Sequence, residues 1–149
     1  MNIKQQLFNQ CSKCLDARYQ TIQDTINGIQ ESLTSETKSS AGDKHETGRA
    51  MLQLEREKAG NQLAQVQKEK DILAKIDISC TFQTVGFGSV VYTSKANYFI
   101  AISAGKMTVE NDAFYAISAE TPIAKLLKGH TTGDVLRFRN ETFTIASIL

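Results

Sequence analysis

Proline is almost missing from this chain: the 149 residues contain one, Pro122, so nothing in the first 121 positions breaks a helix in the way proline does. A charge excess is missing too, with 17 basic against 16 acidic residues and a net charge of +1. Bulk attraction to nucleic acid or to an anionic membrane is thereby excluded, and no autonomous DNA binding is expected. No apolar run approaches the roughly 18 residues that a membrane span needs, so no membrane partner is expected. The start, Met1-Asn2-Ile3-Lys4-Gln5-Gln6, lacks the basic and apolar regions of a secretory signal. Three cysteines, an odd number, agree with a reducing compartment, and the expected location is the cytoplasm. A hydrophobic content of 41% with mean hydropathy −0.27 fits one or two small globular domains.

What is present divides into two halves of different period. Ile3, Leu7, Cys11, Cys14, Leu15, Tyr19, Ile22, Ile26, Ile29 and Leu33 recur at steps of three and four, one stripe along an amphipathic helix. A second helical stretch is expected from about Thr47 to Ile76, with Leu52, Ala59, Val66 and Leu73 at heptad spacing and Leu63 offset by four. Its other faces carry dense mixed charge, from Glu55 to Lys58 and from Lys68 to Asp71. Ser, Thr, Gly and Asp dominate the stretch between the stripes and predict a turn near residues 34–48. Two narrow stripes joined by a turn bury each other most simply as an antiparallel coiled-coil hairpin, with arms about 45 Å long at about 1.5 Å per residue.

After Ile76 the period shortens. Segments 80–85, 89–93, 98–102, 114–118, 135–139 and 141–148 are short runs rich in β-branched and aromatic residues, bounded by glycine or asparagine, and predict strands. Pro122 to Gly129 predicts one short helix, with proline in its first turn and glycine after its end. The expectation is an α+β chain: an α-hairpin over residues 1–76 with its tip near 34–48, then a small antiparallel sheet domain with one short helix over residues 77–149. No Gly/Pro linker separates the two, so the second helix should run almost directly into the sheet domain.

The segment Thr121-Pro122-Ile123-Ala124-Lys125-Leu126-Leu127-Lys128-Gly129, continuing through His130 to Gly133-Asp134, resembles the C-terminal signature of the bacterial Gre-type transcript cleavage factors (GreA/GreB). That signature is a Ser-Pro, a short helix ending in Leu-x-Gly-Lys, and a Gly-Asp before the last hairpin; Thr121 and His130 here replace the Ser and Lys. Ile117-Ser118 and Phe87-Gly88-Ser89-Val90 also resemble the family, as does the expected architecture, so the likeness spans the chain. At the hairpin tip, Gly42-Asp43-Lys44-His45-Glu46 is similar to the family's acidic Gly-Asp-x-x-Glu, after which Arg49 and Ala50 stand where the family has an acidic and an aromatic residue. The sheet-plus-helix pattern further resembles FKBP-like domains, with nothing that supports a prolyl-isomerase pocket.

The resemblance implies an accessory factor and no enzyme in its own right. Its partner is RNA polymerase, entered through the secondary channel, and the nascent RNA 3' end is reached only through that partner. Asp43 and Glu46 are implied as the catalytic carboxylates, sharing the second Mg²⁺ of the polymerase, with no cofactor held stably by the chain itself. A hard cation short of oxygen ligands accepts added carboxylates readily, and two-metal hydrolysis needs it held. Glu120, Thr121 and Pro122 are implied as the surface that docks on a coiled coil at the channel rim. The residues alone also admit plainer roles. Asp43 and Glu46 make a helix start of the capping-box type, and Thr121-Pro122 a capped N-terminus. Lys44, His45 and Arg49 dilute the negative charge at the tip, which keeps open a channel binder that modulates or inhibits polymerase without cleavage. A coiled-coil interaction protein unrelated to polymerase is the rival from another class. Cys11-x-x-Cys14 has neither the further ligands of a zinc site nor the setting of a redox pair, and Gly86-Phe87-Gly88 is followed by no helix and reads as a strand turn.

Overall fold

A computed structural model of the protein describes residues 2–38 and 42–149, and their side chains outside 36–45. The chain is α+β. Two long helices, α1 (Ile3–Lys38) and α2 (Gly42–Ala74), are followed by six strands and one short helix: β1 (Val90–Thr93), β2 (Asn97–Ala101), β3 (Gly105–Val109), β4 (Asp112–Ser118), α3 (Pro122–Leu127), β5 (Val135–Phe138) and β6 (Glu141–Ile148). It divides into two compact units, Met1–Cys14 with Asp71–Leu149, and Leu15–Lys70.

The unit Leu15–Lys70 is the helical hairpin. Leu15, Ile29 and Leu33 of α1 and Ala59 and Val66 of α2 are buried, the positions that the two apolar stripes mark. Arg18 Nη1 meets Glu69 Oε2 at 3.2 Å and Lys70 Nζ meets Asp16 Oδ1 at 3.0 Å, while Arg49 Nη1 reaches the Leu33 carbonyl at 3.4 Å. Position rises along α1 as it falls along α2, so the helices are antiparallel. Lys70 Nζ also lies 4.5 Å from the centre of the Tyr19 ring, a cation–π distance. Ion pairs at or near the surface contribute about 0.2–1 kcal/mol each, so the buried seam carries more of the hairpin's stability than they do.

The polar stretch 34–48 is mostly helix: α1 continues to Lys38 and α2 begins at Gly42. Residues 34–38 contain neither glycine nor proline, and each residue added to an existing helix gains a hydrogen bond without a new nucleation cost. Thr34 even turns its hydroxyl back to the Gln30 carbonyl at 3.0 Å. The two helices thus extend into the polar stretch, and polarity alone does not mark where they end.

In the other unit the sheet has the order β3-β4-β2-β1-β6-β5. Every neighbouring pair is antiparallel except β2 and β4, which run parallel from Tyr98↔Tyr115 to Ala101↔Ser118. The sheet is therefore mixed and not the purely antiparallel one expected, because β4 returns from the edge strand β3 to lie beside β2. Two-residue hairpins, Glu110-Asn111 and Arg139-Asn140, join β3 to β4 and β5 to β6 with positive φ at all four residues, the geometry whose twist matches the strands.

Segment 80–85 is not a strand; it makes one isolated bridge, Thr84↔Thr131, to the turn after α3. Its backbone bonds go elsewhere: Cys80 O accepts from Lys4 Nζ, Gln83 O from Thr131 Oγ1, and Val85 exchanges bonds with Gly129 and His130. The strand not anticipated is β3, whose Met107 and Val109 point inward between exposed Lys106 and Thr108. One face of the sheet packs Val91, Ile100, Leu136, Phe143 and Ile145 against Ala124 and Leu127 of α3 and against Val85. On the other, Met107 Sδ meets the buried Cys11 Sγ of α1 at 4.0 Å, and Gln10 Nε2 donates to the Thr108 carbonyl at 3.0 Å, so the start of α1 covers the β3 edge.

Candidate functional site

The two regions singled out by sequence lie in different units and are described separately. At the hairpin tip, α2 starts at Gly42, so Asp43 and Glu46 fall at i, i+3 at the beginning of the helix. Carboxylates there are favoured by the positive end of the helix dipole whatever else they do. The Asp43 side chain lies outside the described residues, as do those of Lys44 and His45. Glu46 is exposed. Arg49, one turn further on, is half-buried with Nη1 on the Leu33 carbonyl of the facing helix, an acceptor near the α1 C-terminus that the dipole makes negative. Beyond it Met51 and Leu54 are exposed, 59% and 67%, on the outer side of α2.

The described residues contain no group of three or more His, Cys, Asp or Glu side chains able to hold a metal ion. A lone exposed carboxylate such as Glu46 supplies hard oxygen donors that suit Mg²⁺, yet only as a supplement to ligands provided by another molecule.

The second region is the β4–α3 junction. Thr121 is the N-cap of α3, with φ −68° and ψ 150°; its hydroxyl accepts from Ala124 N at 3.3 Å and donates to Ser118 O at 2.8 Å. Ser118 Oγ in turn accepts from Glu120 N at 3.1 Å. Pro122 opens the helix, where its missing N–H costs nothing. The turn thus fixes Glu120 and Pro122 on the surface, with Glu120 Oε2 3.8 Å from Lys125 Nζ, both widely exposed. Beside them lies a cavity of about 180 Å³ lined by Phe87, Ile100, Glu120, Ala124, Lys125 and Lys128. Phe87 and Lys128 were not marked as site residues by sequence; the glycines around Phe87 were the only local signal that its backbone turns there.

Gly129 to Asp134 forms the turn after α3. Asp134 Oδ2 accepts from Thr131 N at 3.0 Å and lies 2.9 Å from His130 Nδ1. The Thr131 amide, and then the His130 side chain, hold the Asp134 carboxyl below its ordinary value.

No protein-family model matches the chain. No curated protein sequence matches it. Among solved structures, one described as "Structure of the transcription factor Gfh1" is similar over 89% of this chain and 93% of that chain, at 21% identity and a TM-score of 0.34. No helix among the described residues is long and apolar enough to cross a membrane.

Proposed function

We propose that this protein is a Gre-like accessory factor of RNA polymerase that enters the secondary channel and stimulates endonucleolytic cleavage of backtracked nascent RNA. The observation that carries the reading is the exposed Glu46 at the start of α2, three residues after Asp43, where an antiparallel helical hairpin reverses. The Thr121-Pro122 turn, which resembles the Gre C-terminal signature, supports it independently.

In this reading the active site belongs to the polymerase, and the factor supplies oxygen ligands. Asp43 would hold the second Mg²⁺ and Glu46 would share it or orient the attacking water. That metal, when bound, supplies the charge that stabilises the developing oxyanion and the leaving oxygen. The chain's own contribution is placement: a helical arm stiffened by a buried seam delivers the carboxylates, and the bond from Arg49 to Leu33 O directs that guanidinium toward α1. The opposing cation therefore has a partner other than Glu46. The turn fixed by Thr121, presenting Glu120 and Pro122, serves as the docking surface on the polymerase.

The test is a stalled, backtracked elongation complex incubated with Mg²⁺, with and without the protein. Release of short 3' RNA fragments should accelerate, and Asp43→Ala or Glu46→Ala should each reduce that acceleration on the order of 10–100-fold with the fold intact. Binding without cleavage would replace this reading with that of a channel-bound modulator, and absence of binding would remove polymerase as the partner.

A further inference from the structure

A pocket in the unit Met1–Cys14 with Asp71–Leu149 plays no part in the proposed chemistry. It has a volume of about 540 Å³ and is walled by Ile3, Ile78, Ile148 and Leu149, with Lys4 and Glu110 among its lining. That volume lies inside the range of about 300–1,000 Å³ typical of small-molecule sites, which combine apolar walls with a few polar groups.

Lys4 is the unusual member. It is only 5% exposed, whereas lysines are almost never fully buried unless paired with an opposite charge. Among the described residues no carboxylate stands within ion-pair distance of its Nζ. Asp77, a nearby candidate, instead accepts from Ser79 N at 3.0 Å and Ser79 Oγ at 2.5 Å. The ammonium gives one hydrogen bond to Cys80 O at 2.9 Å and lies 4.6 Å from the centre of the Phe82 ring. An ammonium carries three donors, so Lys4 retains hydrogen-bonding capacity that this carbonyl does not use. Burial pulls its pKa down, and the neighbouring Cys80 and Asp77 offset only part of that pull.

We propose that this pocket is a binding site for a small apolar monocarboxylate, its carboxylate paired with Lys4 and its hydrocarbon body against Ile3, Ile78, Ile148 and Leu149. Pairing offsets the desolvation of the ammonium, and a neutral ligand of the same shape leaves that cost standing. Glu110, exposed on the β3–β4 turn, is a like charge at the pocket and sets a limit on affinity.

The test titrates the full-length protein with 4-methylpentanoate and with the neutral 4-methylpentanamide, following backbone amide shifts by NMR. The carboxylate should move the amides of Ile3, Lys4 and Thr81 with a Kd on the order of 1 mM, and the amide should bind about tenfold or more weakly. Lys4→Met, which keeps the buried stem but removes the charge, should erase that difference. Glu110→Gln, a surface change that leaves the core untouched, should tighten the carboxylate about twofold, so the proposal stays testable even if the Lys4 variant does not fold. Equal binding of acid and amide to the unaltered protein overturns it, as does the absence of any shift below about 20 mM or a loosening in Glu110→Gln.

Discussion

Ser89 is fully buried and its hydroxyl serves one turn: Oγ accepts from Gly86 N at 3.0 Å and donates to Gly86 O at 2.6 Å. In Ser89→Ala the Gly86 carbonyl keeps the bond from Ser89 N at 3.1 Å, but the Gly86 amide loses the hydroxyl that accepts from it. The expected cost is about 2 kcal/mol, the sum of a lost hydrogen bond of about 1 kcal/mol and partial desolvation of the orphaned amide. For a chain of this size that lowers the midpoint of thermal unfolding by about 4–8 °C. Thr93 provides the comparison. Its hydroxyl makes three bonds, accepting from Ala96 N at 2.9 Å and Lys95 N at 3.2 Å and donating to Ala96 O at 2.5 Å, but it is half-buried in the turn between β1 and β2. Water replaces those partners in Thr93→Ala, and the expected cost is below about 1 kcal/mol. Urea unfolding of both variants, followed by far-UV circular dichroism with the slope compared to the parent, decides between burial and bond count. If Thr93→Ala costs as much as Ser89→Ala, the reasoning from burial is refuted. The same turn holds Phe87 at the cavity beside α3, so under the proposed function Ser89→Ala should also weaken docking if that cavity belongs to the docking surface.

Thr121→Ala removes the α3 cap and should cost about 1 kcal/mol, while Thr121→Ser keeps the oxygen and should cost a few tenths; paired urea titrations read the difference. Thiol labelling of the folded protein at pH 8 should modify exposed Cys80 first, half-buried Cys14 next and Cys11 last. Burial, with a smaller contribution from Cys14, pushes the Cys11 thiol up to about 12, so a Cys11 that reacts as fast as Cys80 would contradict its placement under Met107. The depressed carboxyl of Asp134 stabilises the fold fully above its ordinary value of 3.8 and loses that contribution as the pH falls through its lower folded value. Asp134→Asn should therefore flatten the acid limb of the stability profile below about pH 4, as measured by urea midpoints across pH.

The helical stripes were legible because a long helix repeats its apolar contact every turn, and Leu15, Ile29, Leu33, Ala59 and Val66 are buried where the period puts them. The ends of those helices were not, since the polarity of residues 34–38 predicts a turn while α1 continues through them to Lys38. The exchange of segment 80–85 for β3 has a related origin. Phe82 and Val85 have the side chains of a strand but no neighbour to pair with, whereas Lys106 and Thr108 disguise a strand whose inward residues are only Met107 and Val109. Pairing partners are chosen by the whole sheet, and the parallel β2–β4 ladder in particular depends on where β3 goes.

The site residues follow the same division between local and distant information. Asp43-x-x-Glu46 and Thr121-Pro122 are contiguous patterns, so their positions at a helix start could be read directly, and the Thr121 cap confirms the second of them at the level of individual atoms. Arg49 and Lys4 could not be read in that way. Each is a cation on a helix that resembles any solvent-facing residue, and each finds a backbone carbonyl on a segment remote in sequence, Leu33 for one and Cys80 for the other. A carbonyl acceptor carries no side-chain signature, since every residue has one. Hence the destination of Arg49 near the tip and the burial of Lys4 at the pocket it helps to line both depend on the folded backbone. Exchanging Leu33 or Cys80 for a residue of similar size should leave each cation where it is, whereas moving the backbone beneath it should not.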